Sequence, residues 1–311
     1  MTQPLRAATT EAYDTDSFIR QLVEDRLIIP TAVPGTFGRA AVFEDVLNRF
    51  NDLITRVSAD EPTEFCTFPP VIDRSIIERV DYLDWFPHLC GSVHSFCGDA
   101  VEARVLSENV HANAPYGQLL EPSRVVLNPA ACYPLYPTLT GTLPAGGKLV
   151  TMVNWVFRHE PSHEPTRMQS FRVREFVRLG RPEDVAAWRD GWAQRSLSLL
   201  QDLELPAALD TASDPFFGTA GTAMADSQKS QRLKFEILVP VISEERPTAV
   251  CSFNLHRDHF GHVFDIHLPD GSSAHSACLG FGLERITMAL FKAHGSHPHE
   301  WSPKVRQLLW P

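Results

Sequence analysis

Two runs in the middle of the chain alternate between apolar and polar side chains, as strands with one buried face do. They cover residues 148–160 and 167–180, and a short polar segment with two prolines separates them. This pattern predicts an antiparallel hairpin. Because strand side chains point alternately to opposite faces, Phe171, Val173 and Glu175 should share one face of the second strand.

Apolar residues recur at helical spacing in four other places. The helices that this predicts begin at Asp16, cover residues 39–58 and 182–203, and begin near Leu283. Shorter apolar runs predict further strands at residues 124–128, 233–240, 249–254 and 264–267. Helices and strands are thus both expected, and the fold class that we predict is α+β.

A single domain is predicted for residues 16–311, because no low-complexity linker divides them. Residues 1–15 are polar, and we expect them to be disordered. We also expect a helical insertion at about residues 182–230. Its second part, residues 206–230, is rich in Ala, Ser, Thr and Gly, which predicts a loop or a mobile insertion.

Composition narrows the class of protein. The chain has 311 residues and a net charge of −10, and no block of basic residues offers a nucleic-acid surface. There is no signal-peptide pattern and no apolar run long enough to cross a bilayer, so we expect no membrane partner. The six cysteines are scattered without a paired motif, which predicts reduced thiols and a cytoplasmic protein.

Glu175 is the least expected residue of the hairpin, because it interrupts an apolar row. A carboxylate in such a row needs a cation, a metal ion or a hydrogen-bond donor, since burying it unpaired is costly. The residues alone leave two interpretations open. Either an arginine pairs with Glu175 across the hairpin, or the carboxylate contributes to a metal site.

The hairpin also carries a motif. Phe157-Arg-His-Glu160, followed by Phe171-x-x-x-Glu175, resembles the second signature of class II aminoacyl-tRNA synthetases in its seryl-type version. The resemblance implies that Glu175 faces the amino group of an amino acid. It also implies contacts with ATP: Arg158 at the α-phosphate, Glu160 at the adenine amino group, Phe171 stacked on adenine, and Arg167 and Met168 nearby. A guanidinium fork suits phosphate, and a planar ring suits adenine.

Three more segments extend the resemblance to roughly residues 40–295. Gly280-Phe-Gly-Leu-Glu-Arg285 resembles the third signature, which implies that Arg285 holds the γ-phosphate and acts with Arg158 in catalysis. The helix at 39–58 with the extended segment 64–72 resembles the first signature, which implies a homodimer. The strand that contacts ATP in the family corresponds to Ala249, Val250, Cys251 and Ser252. Seryl enzymes begin that strand with an acidic residue, and Thr248-Ala249 stands here instead.

The resemblance further implies a metal. The zinc-dependent, archaeal variety of seryl-tRNA synthetase uses a Cys, a Glu and a Cys at the positions of Cys132, Glu175 and Cys278. Two thiolates and one carboxylate suit zinc and leave a fourth position for the amino nitrogen of a substrate. We therefore expect one Zn²⁺ per subunit, and ATP accompanied by Mg²⁺. A rival site among the histidines, His256, His259, His262 and His267, has no helical or finger spacing, so surface roles are predicted for them.

The implied fold is a class II synthetase-like antiparallel β-sheet flanked by helices, without a tRNA-binding domain. About 40 residues precede the helix of the first signature, fewer than the seryl enzymes use to bind tRNA. The pattern resembles the amino acid:[carrier protein] ligases, truncated homologues of those enzymes. Such a ligase activates a small amino acid, usually glycine and sometimes alanine, and loads the phosphopantetheine thiol of a small acidic carrier protein, so no tRNA partner is expected.

Two alternatives remain open: a minimal seryl-type tRNA synthetase and a non-catalytic paralogue that binds an amino acid. The sequence does not distinguish glycine from alanine or serine. As a docking surface for the carrier, we consider the helix that carries Arg181, Arg189 and Arg195, although these arginines would serve equally well to solvate that helix.

Overall fold

The computed structural model describes residues 13–311. The expected disorder of residues 1–15 falls mostly outside this range. The first helix begins at Tyr13, three residues before the predicted start at Asp16. Within the described range, no helix combines the length and the hydrophobicity that a membrane span requires.

Seven strands form the main sheet, which is antiparallel except for a parallel pair at one edge. In spatial order they are β10 (Ala208–Thr211), β11 (Lys234–Val239), β12 (Thr248–Arg257), β14 (His275–Gly282), β9 (Ser170–Gly180), β8 (Lys148–Phe157) and β3 (Glu64–Cys66). Three small sheets accompany it: β1 (Ile28–Pro30) with β2 (Phe37–Arg39), β4 (Val71–Asp73) with β6 (Glu121–Leu127) and β5 (Ser92–Ser95), and β7 (Gly141–Thr142) with β13 (Ile266–His267).

Ten α-helices lie in the described residues. They are α1 (Tyr13–Glu24), α2 (Ala41–Val57), α3 (Arg74–Arg79), α4 (Tyr82–Trp85), α5 (Ala100–His111), α6 (Pro182–Asp202), α7 (Gly218–Ser230), α8 (His259–Phe264), α9 (Leu283–His294) and α10 (Pro303–Leu309). Single 3₁₀ turns cover residues 87–89, 117–119, 136–139 and 298–300. The predicted α+β class is confirmed.

The predicted hairpin forms two neighbouring interior strands of the sheet. Strands β8 and β9 pair antiparallel over their whole length, with Met152 opposite Glu175. Alternation holds along β9, so Phe171, Val173 and Glu175 line one face, while Arg172 and the buried Phe176 lie on the other. The sheet therefore presents two chemically different faces.

Helices α2, α6 and α9 cover only one of these faces. Phe176 stacks on Trp192 of α6 with ring centroids 5.4 Å apart, and Phe50 of α2 meets Phe281 edge-on at 6.1 Å. The α2 helix buries six apolar side chains there, in keeping with the wide stripe that its sequence shows. The face that carries Phe171 and Glu175 is left to form the floor of a cavity.

Two sequence predictions about local structure are wrong. Residues 206–230 are not a loop, since they contain β10 at an edge of the main sheet and the helix α7. Helix α7 buries only Gly221, so its sequence has no apolar stripe to signal it. Residues 264–267 were predicted as a strand, but Phe264 ends α8 and only Ile266–His267 is extended. The buried Phe260 and Phe264 have the spacing of one helical turn.

A buried ion-pair network joins β9 to the start of α9. Glu284, which is fully buried, accepts hydrogen bonds from the backbone N–H and the Nε of Arg172, both at 2.8 Å, and lies 3.4 Å from a nitrogen of Arg39. Arg172 also forms a two-pronged contact with Glu44 of α2, with both distances 2.7 Å. The network fixes the beginning of α9 and hence the residue that follows, Arg285.

We expect Glu284→Ala to lower the free energy of unfolding by about 3 kcal/mol, because removing one partner of a buried pair leaves the others without compensation. Chemical denaturation measures the change. Glu245→Ala, at an exposed position in the loop before β12, is the matched control and should change stability by less than about 0.5 kcal/mol. Equal effects of the two substitutions would contradict a role for the network.

Candidate active site

A cavity of about 440 Å³ lies on the uncovered face of the sheet. Its floor is made by β9, β12 and β14, which lie side by side, and residues 129–133 and 214–216 contribute to its walls. The size suits a small-molecule or nucleotide ligand. Most of the site residues predicted from the sequence line this cavity.

One end of the cavity holds two arginines around an aromatic ring. The guanidinium carbons of Arg158 and Arg285 both lie 5.8 Å from the centroid of the Phe171 ring. Arg285 is held by hydrogen bonds to the carbonyl oxygens of Thr166, at 2.8 Å, and Ala249, at 3.0 Å. Burial, and then the nearby charge of Arg158, lower the pKa of Arg285.

Neither arginine forms an ion pair with a carboxylate of residues 13–311. Two guanidinium groups without a directly paired carboxylate in this range, beside a planar ring, suit an anionic group attached to an aromatic base. The end of the cavity at Phe171 can therefore bind a nucleotide.

The other feature of the cavity is a group of three buried metal-ligand types. The sulfurs of Cys132 and Cys278 and a carboxylate oxygen of Glu175 all lie within 4.8 Å of one another. Three distant parts of the chain supply them: the loop after β6, strand β9 and strand β14. Gly280, next but one to Cys278, pairs with Glu175 across the two strands.

The structure answers one of the two interpretations of Glu175. No arginine or lysine in the described part of the chain forms an ion pair with it, and its neighbour across the hairpin is Met152. Its side-chain partners are instead the two thiols, while the charge of Arg158 acts on it from farther away. An arginine paired with Glu175 across the hairpin is therefore wrong, and the metal site stays a prediction.

The three groups carry perturbed pKa values. Burial raises the pKa of Glu175. A hydrogen bond with Cys278, together with burial and the charge of Glu175, raises the pKa of Cys132 well above its usual range. The same hydrogen bond lowers the pKa of Cys278, but burial and Glu175 outweigh it, so that pKa is also raised. A cation among the three would reverse this, because it favours the thiolate and carboxylate forms. The donor set of two thiolates and one carboxylate fits zinc.

A partly buried cluster of charged residues around Lys234 also lines the cavity, and no sequence motif indicates it. The ammonium of Lys234 lies 2.6 Å from a carboxylate oxygen of Asp214 and 3.0 Å from one of Glu236. Gln228 of α7 donates to the other oxygen of Asp214 at 2.8 Å. Glu236 of β11 pairs with Ser252 of β12. Strand β12 lacks the acidic residue with which seryl enzymes begin it, and Glu236 places a carboxylate on the strand next to it.

Similar proteins are known at two levels of likeness. No protein-family model matches the sequence. Amino acid--[acyl-carrier-protein] ligase 2 of Bradyrhizobium diazoefficiens is 44% identical over 287 residues, covering 92% of this chain and 86% of the relative. Ligase 1 of the same organism is 42% identical and is covered over 88% of its length. The chain belongs to the amino acid–[acyl-carrier-protein] ligase family. The expectation of an ATP-dependent ligase is thereby confirmed.

The ligase also shares its fold with class II synthetases. The type-2 serine--tRNA ligase of Methanopyrus kandleri is 26% identical, over 87% of this chain and 55% of that protein. The solved M. kandleri seryl-tRNA synthetase, in complex with A. aeolicus tRNASec, has a TM-score of 0.78 at 20% identity. The alignment covers 99% of this chain and 62% of that one. The seryl-tRNA synthetase of Pyrococcus horikoshii complexed with ATP has a TM-score of 0.62. The predicted class II fold is confirmed.

Only some of the residues predicted to contact ATP line the cavity. Arg158, Phe171, Arg285 and the four residues Ala249, Val250, Cys251 and Ser252 line the cavity. Glu160, Arg167 and Met168 do not; they belong to the connection between β8 and β9. Arg167 is 60% exposed beside Glu164, and Met168 is buried under Arg39.

Two predictions about charged surfaces need correction. Arg189 is buried under α6, where it stacks 4.5 Å from the Phe235 ring and pairs with Asp190, so it cannot dock a partner. Arg195 forms two hydrogen bonds with Asp60. Only Arg181 remains mostly exposed. An arginine docking surface on α6 is therefore wrong.

The prediction of surface roles for the histidines is wrong for His256. This side chain is buried in the cavity wall, and its Nε2 lies 3.5 Å from the sulfur of Cys278. Burial lowers the pKa of His256 to about 3. His259 also lines the cavity, whereas His262 is 69% exposed and pairs with Asp258.

We expect Lys234→Met to destabilise the ligase by about 2 kcal/mol at neutral pH. The value is below that of a fully buried pair because the Asp214 side chain is 32% exposed. Burial would raise the pKa of Asp214, but Lys234 and Gln228 more than offset this, so it is lowered. A lowered folded-state pKa contributes stability above the unfolded pKa and loses it as the pH falls.

The difference between wild type and Lys234→Met should accordingly be full above the ordinary carboxyl pKa of 3.8 and shrink as the pH falls below it, where Asp214 takes up a proton. Denaturation at several pH values measures this. Lys229→Met, on the exposed side of α7, is the control. A destabilisation independent of pH would show that Lys234 acts through packing alone.

Proposed function

We propose that this ligase activates glycine, with alanine as the next candidate, as an aminoacyl-adenylate and transfers it to the phosphopantetheine thiol of a small acidic carrier protein. The observation that carries the proposal is the cavity itself. It combines the buried Cys132, Glu175 and Cys278 with two uncompensated arginines around Phe171, in a chain whose relatives are named for this transfer.

ATP would bind at the arginine end, together with Mg²⁺. Phe171 offers its ring to adenine, and Arg158 offsets the charge that builds on the α-phosphate as the amino acid carboxylate attacks it. Arg285 holds the leaving pyrophosphate. Because these groups are fixed by the sheet and by backbone carbonyls, they stabilise the transition state by position and charge rather than by proton transfer. Glu160, Arg167 and Met168 border this end as candidate contacts to adenine.

Cys132, Glu175 and Cys278 would hold one Zn²⁺ per subunit. When bound, zinc supplies a Lewis-acid position that accepts the amino nitrogen of the substrate. Tyr133, His256 and Phe260 line the cavity beside this group and pack against one another. This lining supports a small amino acid as substrate, with glycine proposed first.

In the second step the thiol of the carrier attacks the aminoacyl-adenylate and displaces AMP. Its sulfur forms a bond to the carbonyl carbon, the bond from that carbon to the phosphate oxygen of AMP breaks, and the thiol proton passes to solvent. No residue need act as a covalent nucleophile, because the adenylate is already activated. We propose that the ligase works as a homodimer through the region of α2 and β3, where Phe65 at the sheet edge is 60% exposed.

A seryl-type tRNA synthetase is the second candidate, because the fold matches seryl-tRNA synthetases over nearly the whole chain. A regulatory paralogue is disfavoured, since an amino acid binder has no use for two arginines at a nucleotide ring. We expect no tRNA partner and a cytoplasmic location with reduced thiols. All six cysteines are free.

Exchange of labelled pyrophosphate into ATP, measured across a panel of amino acids, tests activation. We expect exchange with glycine, less with alanine, and little with serine. Arg158→Ala or Arg285→Ala should lower the exchange rate about 100- to 1,000-fold, the loss typical for one preorganised charge-stabilising group. Arg104→Ala, at an exposed position on α5 outside the cavity lining, is the comparison and should lose much less.

The acceptor is tested in the same preparation. With glycine and ATP, label should pass to a phosphopantetheinylated carrier in a form that resists nuclease and is released by hydroxylamine. Label transferred to tRNA and released by nuclease would favour the synthetase. Absence of exchange with every amino acid would favour the regulatory paralogue.

Zinc binding is tested by metal analysis of the purified ligase. We expect about one zinc per chain, lost in Cys132→Ser and Glu175→Gln because three protein ligands are needed to hold it. Cys97→Ser, at an exposed cysteine outside the group, is the matched control and should retain the metal. Full zinc content in Cys132→Ser would contradict the site.

A further inference from the structure

Strand β12 changes register beside the three metal-ligand residues. Leu255 pairs with Ala277 of β14, but Arg257 pairs with Ser276, so His256 is an extra residue in a β-bulge. Arg257 then adopts a φ of 54°, which is uncommon for a residue with a side chain. Bulges next to active sites typically redirect a side chain. The side chain at this bulge is a histidine in the cavity wall.

The His256 ring bridges two residues of β14. Its Nδ1 lies 3.2 Å from the hydroxyl of Ser276, and its Nε2 lies 3.5 Å from the sulfur of Cys278. The hydroxyl of Tyr136 lies 3.5 Å from the same Nδ1, and the Phe260 ring packs edge-on at 4.8 Å. The ring is buried and held on several sides, so its orientation is set by the fold.

These neighbours select one tautomer. Two hydroxyl groups, from Ser276 and Tyr136, surround Nδ1 and can donate to it when it carries no proton. A thiolate at Cys278 can only accept. Both sides are satisfied when the single proton of the neutral ring sits on Nε2 and points at the sulfur.

The two sulfurs of the group consequently have different surroundings. The sulfur of Cys278 lies 3.5 Å from Nε2 of His256 and, at 3.4 Å, accepts a hydrogen bond from the amide nitrogen of Asn254. Among the described residues, no N–H group forms a hydrogen bond with the sulfur of Cys132. As thiolates around a metal, Cys278 would therefore have two donors beside it and Cys132 would have none.

We propose that His256 is a positioning residue for the zinc site, whose Nε2–H group hydrogen-bonds the Cys278 thiolate and fixes that sulfur for the metal. The inference rests on the proposed zinc site but assigns a residue outside its ligands. Hydrogen bonds to metal ligands orient them, and their loss typically weakens metal affinity about 10- to 100-fold.

Three substitutions of His256 distinguish a hydrogen bond to the Cys278 sulfur from a role in packing alone. The amide nitrogen of Gln can reach the place of Nε2, whereas the amide nitrogen of Asn corresponds to Nδ1. We expect His256→Asn and His256→Phe to bind zinc about 10- to 100-fold more weakly than wild type in competition with a chelator. His256→Gln should stay close to wild type, as should His262→Gln at an exposed histidine.

Cobalt substitution gives a second measurement that does not depend on activity. A hydrogen bond to a thiolate lowers the energy of its sulfur electrons. Its loss in His256→Asn should therefore move the sulfur-to-cobalt absorption band to longer wavelength, while His256→Gln keeps the band near its original place. Circular dichroism and thermal melting confirm that each variant is folded.

The outcomes divide clearly. Weak binding in Asn and Phe with near-normal binding in Gln supports the proposal. Equal loss in all three, or wild-type affinity and band position in all three, overturns it while leaving the zinc site standing. A wild-type protein that takes up no zinc or cobalt at all overturns both this inference and the zinc part of the proposed function.

Discussion

The carboxylate of Glu175 imposes a constraint that the surrounding site has to meet. It is buried in the centre of the main sheet, and its side-chain partners are two thiols, Cys132 and Cys278. Three acidic groups so close together are stable only as neutral acids or as anions around a cation, because unpaired charge in such a place costs several kcal/mol. The pKa values of all three groups are accordingly raised above their ordinary values. A polar group of this kind in the floor of a cavity makes sense as a binding site for a cation.

The opposite face of the same sheet carries arginine side chains from β9. Arg172, one position from Phe171 and on the other side of β9, is fully compensated by Glu284 and Glu44. Arg158 and Arg285, on the cavity side, have no such partners among the described residues. Arg172 thus differs from the two cavity arginines, whereas its neighbour Arg174 on the same face is buried without an ion pair in residues 13–311 and contacts Asn51 at 3.3 Å. The two arginines that face the cavity are the ones placed to contact an anionic ligand.

Much of this arrangement could be predicted from the sequence, and there is a physical reason why the other features could not. Alternation along residues 148–180 predicts the hairpin and the face of Glu175, because period two is a local property. The group of Cys132, Glu175 and Cys278 came from the family resemblance alone, since its members are remote in sequence. The burial of Arg189 had a signal that was overlooked: Val185, Arg189 and Trp192 have helical spacing and are all buried.

Other features had no local signal. His256 depends on a bulge, and a bulge is a property of two paired strands rather than of either one. Lys234 meets Asp214 across a connection of twenty residues that contains α7, a helix with no apolar stripe to predict it. In both cases a tertiary contact decides the role of a residue whose own neighbourhood in the sequence is unremarkable.

The sheet also fixes the relation between the two ends of the cavity. Phe171 and Glu175 lie four residues apart on one face of β9, a separation of about 13 Å along the strand. Between them lie Val173, on the same face, and Gly280, where an added side chain would meet Val173. In the proposed function, the amino group of an aminoacyl-adenylate would lie near Glu175 and its adenine near Phe171. The fixed spacing of residues along one strand would then set the distance between the two ends of that molecule.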